Sequence, residues 1–147
     1  MSDDWFMKFS NTKKVKIVPH NPLIKTIFEE FKQILIKQLG NVEIKHMGAS
    51  ALSISGQGEI DLYIPTTPTK FKVIIKKLTK IYGKPGSLDF DWARFNHTYK
   101  NTDFEIMVMH KNCPDYQDNV KLFNYLKTNP SEAKKYDLPI IASNLNY

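Results

Sequence analysis

A glycine-led turn, entered from one strand and left toward an acidic one, constrains this chain most. The stretch runs from Met47 to Ile64: Met47-Gly48-Ala49-Ser50, a short polar segment, then Gly56-Gln57-Gly58-Glu59-Ile60-Asp61-Leu62-Tyr63-Ile64. Side chains two apart on a strand share a face, so Glu59 and Asp61 are predicted to project together. A turn opened by Gly48 brings its backbone N–H groups close to phosphate oxygens, and Ser50 adds a hydroxyl. Two carboxylates beside such a turn make a candidate site for a metal-bound nucleotide.

The flanking pattern alternates strands and helices without repeats. Val15–Val18 reads as a short strand. Asn21-Pro22 pairs a capping side chain with a proline suited to the first helical position. Leu23, Ile27, Phe28, Phe31, Ile34, Leu35 and Leu39 then recur at helical spacing, and Gly40 is a suitable stop. Val42–Met47 is the next predicted strand, and Glu59–Ile64 the acidic one. Pro65-Thr66-Thr67-Pro68 is expected to break that strand and open a second helix, with Phe71, Ile74, Ile75, Leu78 and Tyr82 as its apolar stripe. Ala93–Lys100 and Asp103–Met109 read as a hairpin around Asn101-Thr102. That register pairs Thr98 with Glu105 and puts Arg94, Asn96 and Glu105 on one face. Helices are predicted from about Asp115 to Lys127 and from Pro130 to Tyr136. The expectation is one domain over residues 1–147, with residues 1–14 and 138–147 as irregular tails. Its fold class is α/β (α+β): a mixed β-sheet backed by helices.

Composition narrows the function classes. No apolar run is long enough to cross a bilayer, and the start has no basic-then-apolar leader pattern. With Cys113 as the single cysteine, an internal disulfide framework is excluded, and a cytoplasmic protein is expected. The formal charge is +6, yet Arg94 is the only arginine. Base readout and planar phosphate clamping favour arginine, so nucleic acid is not expected as a sequence-specific partner. Lys70, Lys72, Lys76, Lys77 and Lys80 spread around the second helix as a solvated face, which leaves room for loose attraction to polyanions.

Nucleotidyl transfer needs a divalent cation to hold a triphosphate and to stabilise charge on the attacking and leaving oxygens. Magnesium takes hard oxygen ligands. Glu59 and Asp61 supply two, and Glu105 supplies a third if its strand lies beside theirs. Arg94 is a candidate phosphate contact, together with Gly48, Ala49 and Ser50. His46, just before the turn, reads as a hydrogen-bonded structural residue. Trp92, Phe95 and Tyr99 offer base-stacking surfaces, but core packing is the better expectation for at least two of them.

Ile44-Lys45-His46-Met47-Gly48-Ala49-Ser50-Ala51, followed by Gly56-Gln57-Gly58-Glu59-Ile60-Asp61-Leu62, resembles the GrpB-like family of the nucleotidyltransferase superfamily. Phe123-Asn124-Tyr125-Leu126-Lys127-Thr128-Asn129-Pro130, with Ala133 and Tyr136 after it, is similar to a second segment of that family. The resemblance implies a nucleotidyltransferase-like fold and a cleft over roughly Val15–Tyr136. Departures from the family pattern are local. Ala49 stands where a serine is usual, Gln57 where a lysine is frequent, and Leu52-Ser53-Ile54-Ser55 replaces a loop with a Pro-Gly pair. Aligned on Asp61, the second acid of active superfamily members falls at Tyr63, while Glu59-Ile60-Asp61 restores an acid pair one pleat earlier. Two readings follow. One is a magnesium-dependent nucleotidyltransferase moving a nucleoside monophosphate from a nucleoside triphosphate to an unidentified acceptor. The other is a non-catalytic relative binding a nucleotide or small anion.

Overall fold

Apolar residues recurring every three to four positions force residues 24–39 to bury one face. The computed structural model describes residues 20–54, 56 and 58–135. In it, helix α1 (Ile24–Leu39) turns Ile24, Phe28, Phe31, Leu35 and Leu39 inward. Strand β1 (Lys45–Met47) follows, then a one-turn helix α2 (Gly48–Ala51), β2 (Ile60–Thr66), α3 (Pro68–Tyr82), β3 (Ser87–Leu88), β4 (Trp92–Tyr99), β5 (Thr102–His110) and α4 (Pro114–Thr128). Residues 130–135 form a last helical turn, α5. The strands make one sheet in the order β1-β2-β5-β4-β3. Only the β2–β5 pair is parallel, so the sheet is mixed as expected.

The two faces of the sheet are chemically different. One carries Ile60, Leu62, Ile64, Phe104, Ile106, Val108, Ala93 and Phe95, all buried against the apolar stripes of α1 and of α3 (Phe71, Ile74, Leu78). Each of these side chains larger than alanine contributes ~1.5–3 kcal/mol by leaving water, and this face is the core. The other face is apolar at one end only. There Tyr63, Met107, Met109 and Trp92 meet Cys113, Tyr116 and Val120 under α4. At its opposite end the same alternation places Glu59, Asp61 and Glu105.

Several local expectations are corrected. The Asn21-Pro22 helix start gives way to a turn: Asn21 Oδ1 accepts from Leu23 N–H at 3.0 Å, and α1 begins at Ile24. Only Lys45–Met47 of the predicted Val42–Met47 strand pairs, opposite Asp61–Tyr63; continued, the register would set Glu43 against Pro65, which has no N–H to donate. Pro65 does not break β2. Thr66 C=O accepts from Lys111 N–H, so Thr66 addresses the β5 side and Pro65 the side where β1 has already ended. No ladder bond is lost there. The hairpin turns at Lys100-Asn101, both at positive φ (49° and 59°), which suits a two-residue connection. Glu105 therefore pairs with Asn96 rather than Thr98. The slip is two residues, so Arg94 and Asn96 still share the face of Glu105. The predicted strand Val15–Val18, Tyr136 and the tail from residue 138 lie outside the described residues.

Candidate functional site

The parallel β2–β5 pairing sets Asp61 directly beside Glu105. Glu59, one pleat back from Asp61, completes the group. One carboxylate oxygen from each of the three residues lies within 4.8 Å of the others, and all three side chains are half-buried. Among the described residues none of them is engaged in an ion pair. The three acids singled out in the sequence thus meet at one point of one sheet face.

Burial and mutual repulsion raise their proton affinity by more than Arg94 lowers it. Burial, then the charges of Glu105 and Glu59, push the Asp61 carboxyl well above the ordinary range. Glu59 is pushed up by burial, Glu105 and Asp103, against a lowering by Arg94. Glu105 is raised by burial and lowered by Arg94. An oxygen donor set of this kind suits a hard divalent cation. Three oxygens on one octahedral magnesium at about 2.1 Å stand about 3.0 Å from their neighbours and at most about 4.2 Å apart, so the three carboxylates would draw closer together to share one ion. The residues fit magnesium.

Arg94 reaches the cluster from β4, two residues from Asn96, the partner of Glu105. One guanidinium nitrogen, Nη2, donates to Ser87 Oγ at 2.9 Å, while Nε is buried without a hydrogen-bond partner. A buried donor without a partner leaves a hydrogen bond unmade, and the same guanidinium lowers the proton affinity of Glu59 and Glu105.

Gly48 opens α2 at φ +76°. A β-carbon there would overlap Asp61 Oδ2 and lie 3.0 Å from Asp61 Cγ. Glycine is thus required twice, once for the left-handed backbone and once for the approach of the turn to the acid. The expected glycine-led turn is a single helical turn, with Ala49 packed near Gly56.

The Ser50 hydroxyl is engaged by His46, whose Nε2 lies 2.8 Å from Ser50 Oγ. The His46 ring stacks on Phe28 of α1 at 4.4 Å between centroids. Burial, then the charges of Lys25 and His20, lowers the His46 pKa from 6.5 to about 4. Neutral His46 therefore orients Ser50 rather than carrying charge, in line with its structural reading. The unfolded chain binds this proton more readily than the fold does. Stability from His46 is thus present above pH 6.5 and lost as pH falls toward 4, at most ~3 kcal/mol. His46→Gln is expected to remove most of that acid sensitivity, read as the change in urea midpoint between pH 7 and pH 4.5. An unchanged midpoint difference would place the acid-sensitive group elsewhere.

A cavity of about 40 Å³ adjoins Asp61, lined by Met47, Gly48, Leu52, Tyr63, Asn119, Leu122, Phe123 and Leu126. It has room for about three water molecules. Asn119 Nδ2 donates to Tyr63 Oη at 3.0 Å, tying α4 to β2 across it. None of the α4 residues was singled out as a site residue from sequence. The signal was their spacing: 119, 122, 123 and 126 share one helical face. Of the aromatic candidates, Phe95 lies in the core, Tyr99 packs against it, and Trp92 packs beneath α4. Cys113 is buried at the N-terminal edge of α4, its thiol pushed up by burial.

The chain matches the family described as GrpB protein over residues 14–138, which spans the sheet and the helices on both of its faces. No curated protein matches it. Among the described residues no helix is long and apolar enough to cross a membrane.

Proposed function

Starting from a chain that belongs to the GrpB family and folds as a mixed sheet backed by helices, we propose that it is a nucleotidyltransferase-like protein that acts as a magnesium-dependent nucleotidyltransferase. The observation behind this reading is the meeting of Glu59, Asp61 and Glu105 within 4.8 Å beside a glycine turn. In this reading Glu59, Asp61 and Glu105 hold magnesium, which would supply charge stabilisation on the attacking and leaving oxygens. Gly48, Ala49 and Ser50 present backbone and hydroxyl donors to the triphosphate. Arg94 brings a fixed positive charge and the unpartnered Nε. The acceptor hydroxyl or amine attacks the α-phosphorus in line, and pyrophosphate leaves. The cavity toward α4 lies next to Asp61, on the side away from Arg94, and gives the acceptor an approach.

Binding without transfer is the second reading, favoured by Tyr63 at the position of a second superfamily acid and by Ala49 in place of serine. Pyrophosphate release separates the two. The direct test is thermal shift with ATP, GTP, CTP and UTP, each with and without magnesium, followed by pyrophosphate detection with any nucleotide that stabilises. At a nucleotide concentration a hundred times the dissociation constant, stabilisation is about 2.7 kcal/mol, or several degrees in midpoint. Stabilisation that needs magnesium is the expected result. No shift with any nucleotide would overturn nucleotide transfer and nucleotide binding alike.

A further inference from the structure

The charged side chains of helix α3 are all lysines. From Leu62 to Leu88 the sequence holds six lysines and no aspartate or glutamate. Lys72, Lys76 and Lys80 recur every fourth residue, so they stand in one row along the helix. All three are exposed, as is Lys84 just past the helix end. Among the described residues no carboxylate lies within ion-pair distance of these four. Lys77, by contrast, turns toward the last carbonyl of α1. Fold topology gives the row a direction. Helix α3 returns antiparallel to β2, so its C-terminal end reaches the end of the sheet where β2 and β5 begin, which is the acid end. Gly86, two residues beyond Lys84, donates its N–H to Arg94 C=O at 2.7 Å, and Asn96 Nδ2 lies close to it. The positive row thus leads from the back of the molecule to the rim of the carboxylate cluster.

We propose that this row is a docking surface for the phosphodiester backbone of a single-stranded nucleic acid, bound without regard to sequence. Lysine ammonium groups on long stems neutralise phosphates as point charges, whereas base readout would call for arginine. An anionic membrane is the weaker fit. Val73 and Ile81 are the exposed apolar residues of α3, with no aromatic among them, and a helix lying in a bilayer surface needs a broad apolar face. The surface is separate from the carboxylate chemistry, so its test is kept separate too.

The measurement is fluorescence anisotropy of a labelled 12-nucleotide mixed-sequence oligonucleotide, as RNA and as DNA, from 50 to 200 mM salt. Four phosphate contacts to a single strand give a slope of about −2.8 in log affinity against log salt, a loss of about 50-fold over that range. The variant Lys72→Gln/Lys76→Gln/Lys80→Gln/Lys84→Gln is expected to lose most of the affinity at 50 mM and to flatten the slope by about 0.7 per lysine. Glutamine keeps helix propensity, and circular dichroism checks the fold. A charge-matched variant, Lys25→Gln/Lys37→Gln/Lys121→Gln/Lys127→Gln, is expected to keep the slope. Asp61→Asn is expected to bind the oligonucleotide as wild type, so failure of the transfer reading leaves this one standing. Equal losses in the two lysine variants would reduce the effect to net charge and overturn the proposal. So would absence of oligonucleotide binding, or binding only to phosphatidylserine vesicles.

Discussion

Asp61→Asn is expected to make the metal-free protein more stable and to abolish its response to magnesium. The two effects share one cause. In the metal-free fold Asp61 is desolvated and faces Glu105 and Glu59, so its charged form is disfavoured. Replacing it by an amide of the same shape removes one of three repelling charges. Site residues held for function commonly yield ~0.5–2 kcal/mol when neutralised, which for a chain of this size is a rise of a few degrees in midpoint. Magnesium, which compensates the same repulsion in wild type, then loses a ligand. Nucleotide transfer is expected to fall by more than ~100-fold, since even outer partners of a metal site cost 10- to 100-fold.

The pH dependence of metal-free wild type carries the same signature. A carboxyl whose folded pKa is raised contributes stability below its unfolded value, and that stability is lost as pH rises through the folded value. Metal-free wild type is therefore expected to lose stability from the acid cluster as pH rises above about 4, the unfolded range for such groups. His46 acts in the opposite direction between pH 4 and 6.5. In Asp61→Asn only Glu59 and Glu105 still oppose His46, so stability falls less with pH across that window than in wild type. Thermal melts of both proteins at pH 5 and pH 8, with and without magnesium, check all of this. A variant that melts lower than wild type without metal, or still responds to magnesium, would remove Asp61 from the proposed cluster.

The legible parts of the fold were those with strong periodicity. Helices α1 and α3 declare themselves through Phe28, Phe31 and Leu35 and through Phe71, Ile74 and Leu78, because burial of one helical face dictates the spacing. The acid cluster was legible for a related reason. Strand alternation puts Glu59 and Asp61 on one face, and a register slip of two residues, being even, leaves Arg94, Asn96 and Glu105 on that face. The illegible parts depend on neighbours. That Pro65 stays within β2 follows from β1 being short, which the proline itself does not reveal. The turn at Lys100-Asn101 instead of Asn101-Thr102 reflects two non-glycine residues accepting positive φ. The cavity wall on α4 requires knowing that this helix crosses the sheet face beside Asp61, a tertiary fact carried by the Tyr63–Asn119 contact.

Gly48→Ala is expected to be the most damaging single-methyl change in the site. Two penalties act together. An alanine at φ +76° costs ~1–3 kcal/mol in backbone strain alone. Its β-carbon would also overlap Asp61 Oδ2 and crowd Asp61 Cγ and Cβ. The backbone of Asp61 cannot retreat, because it pairs with Met47 on one side and Glu105 on the other. Relief must come either from α2 lifting off or from the carboxylate rotating away from Glu59 and Glu105. Both dismantle the site, so loss of the magnesium response is expected beside a drop of at least ~2 kcal/mol in stability. Gly40→Ala shows a backbone cost without a collision: its φ is +87°, and nothing lies within 4 Å of an added β-carbon. Asp61→Ala removes the colliding oxygen, so in that background the cost of Gly48→Ala is expected to fall toward its backbone strain alone. A double-mutant cycle by urea unfolding reads this as a coupling of ~1 kcal/mol or more. Additive costs would mean that the turn and the carboxylate do not touch, and the close approach on which the site depends would be lost.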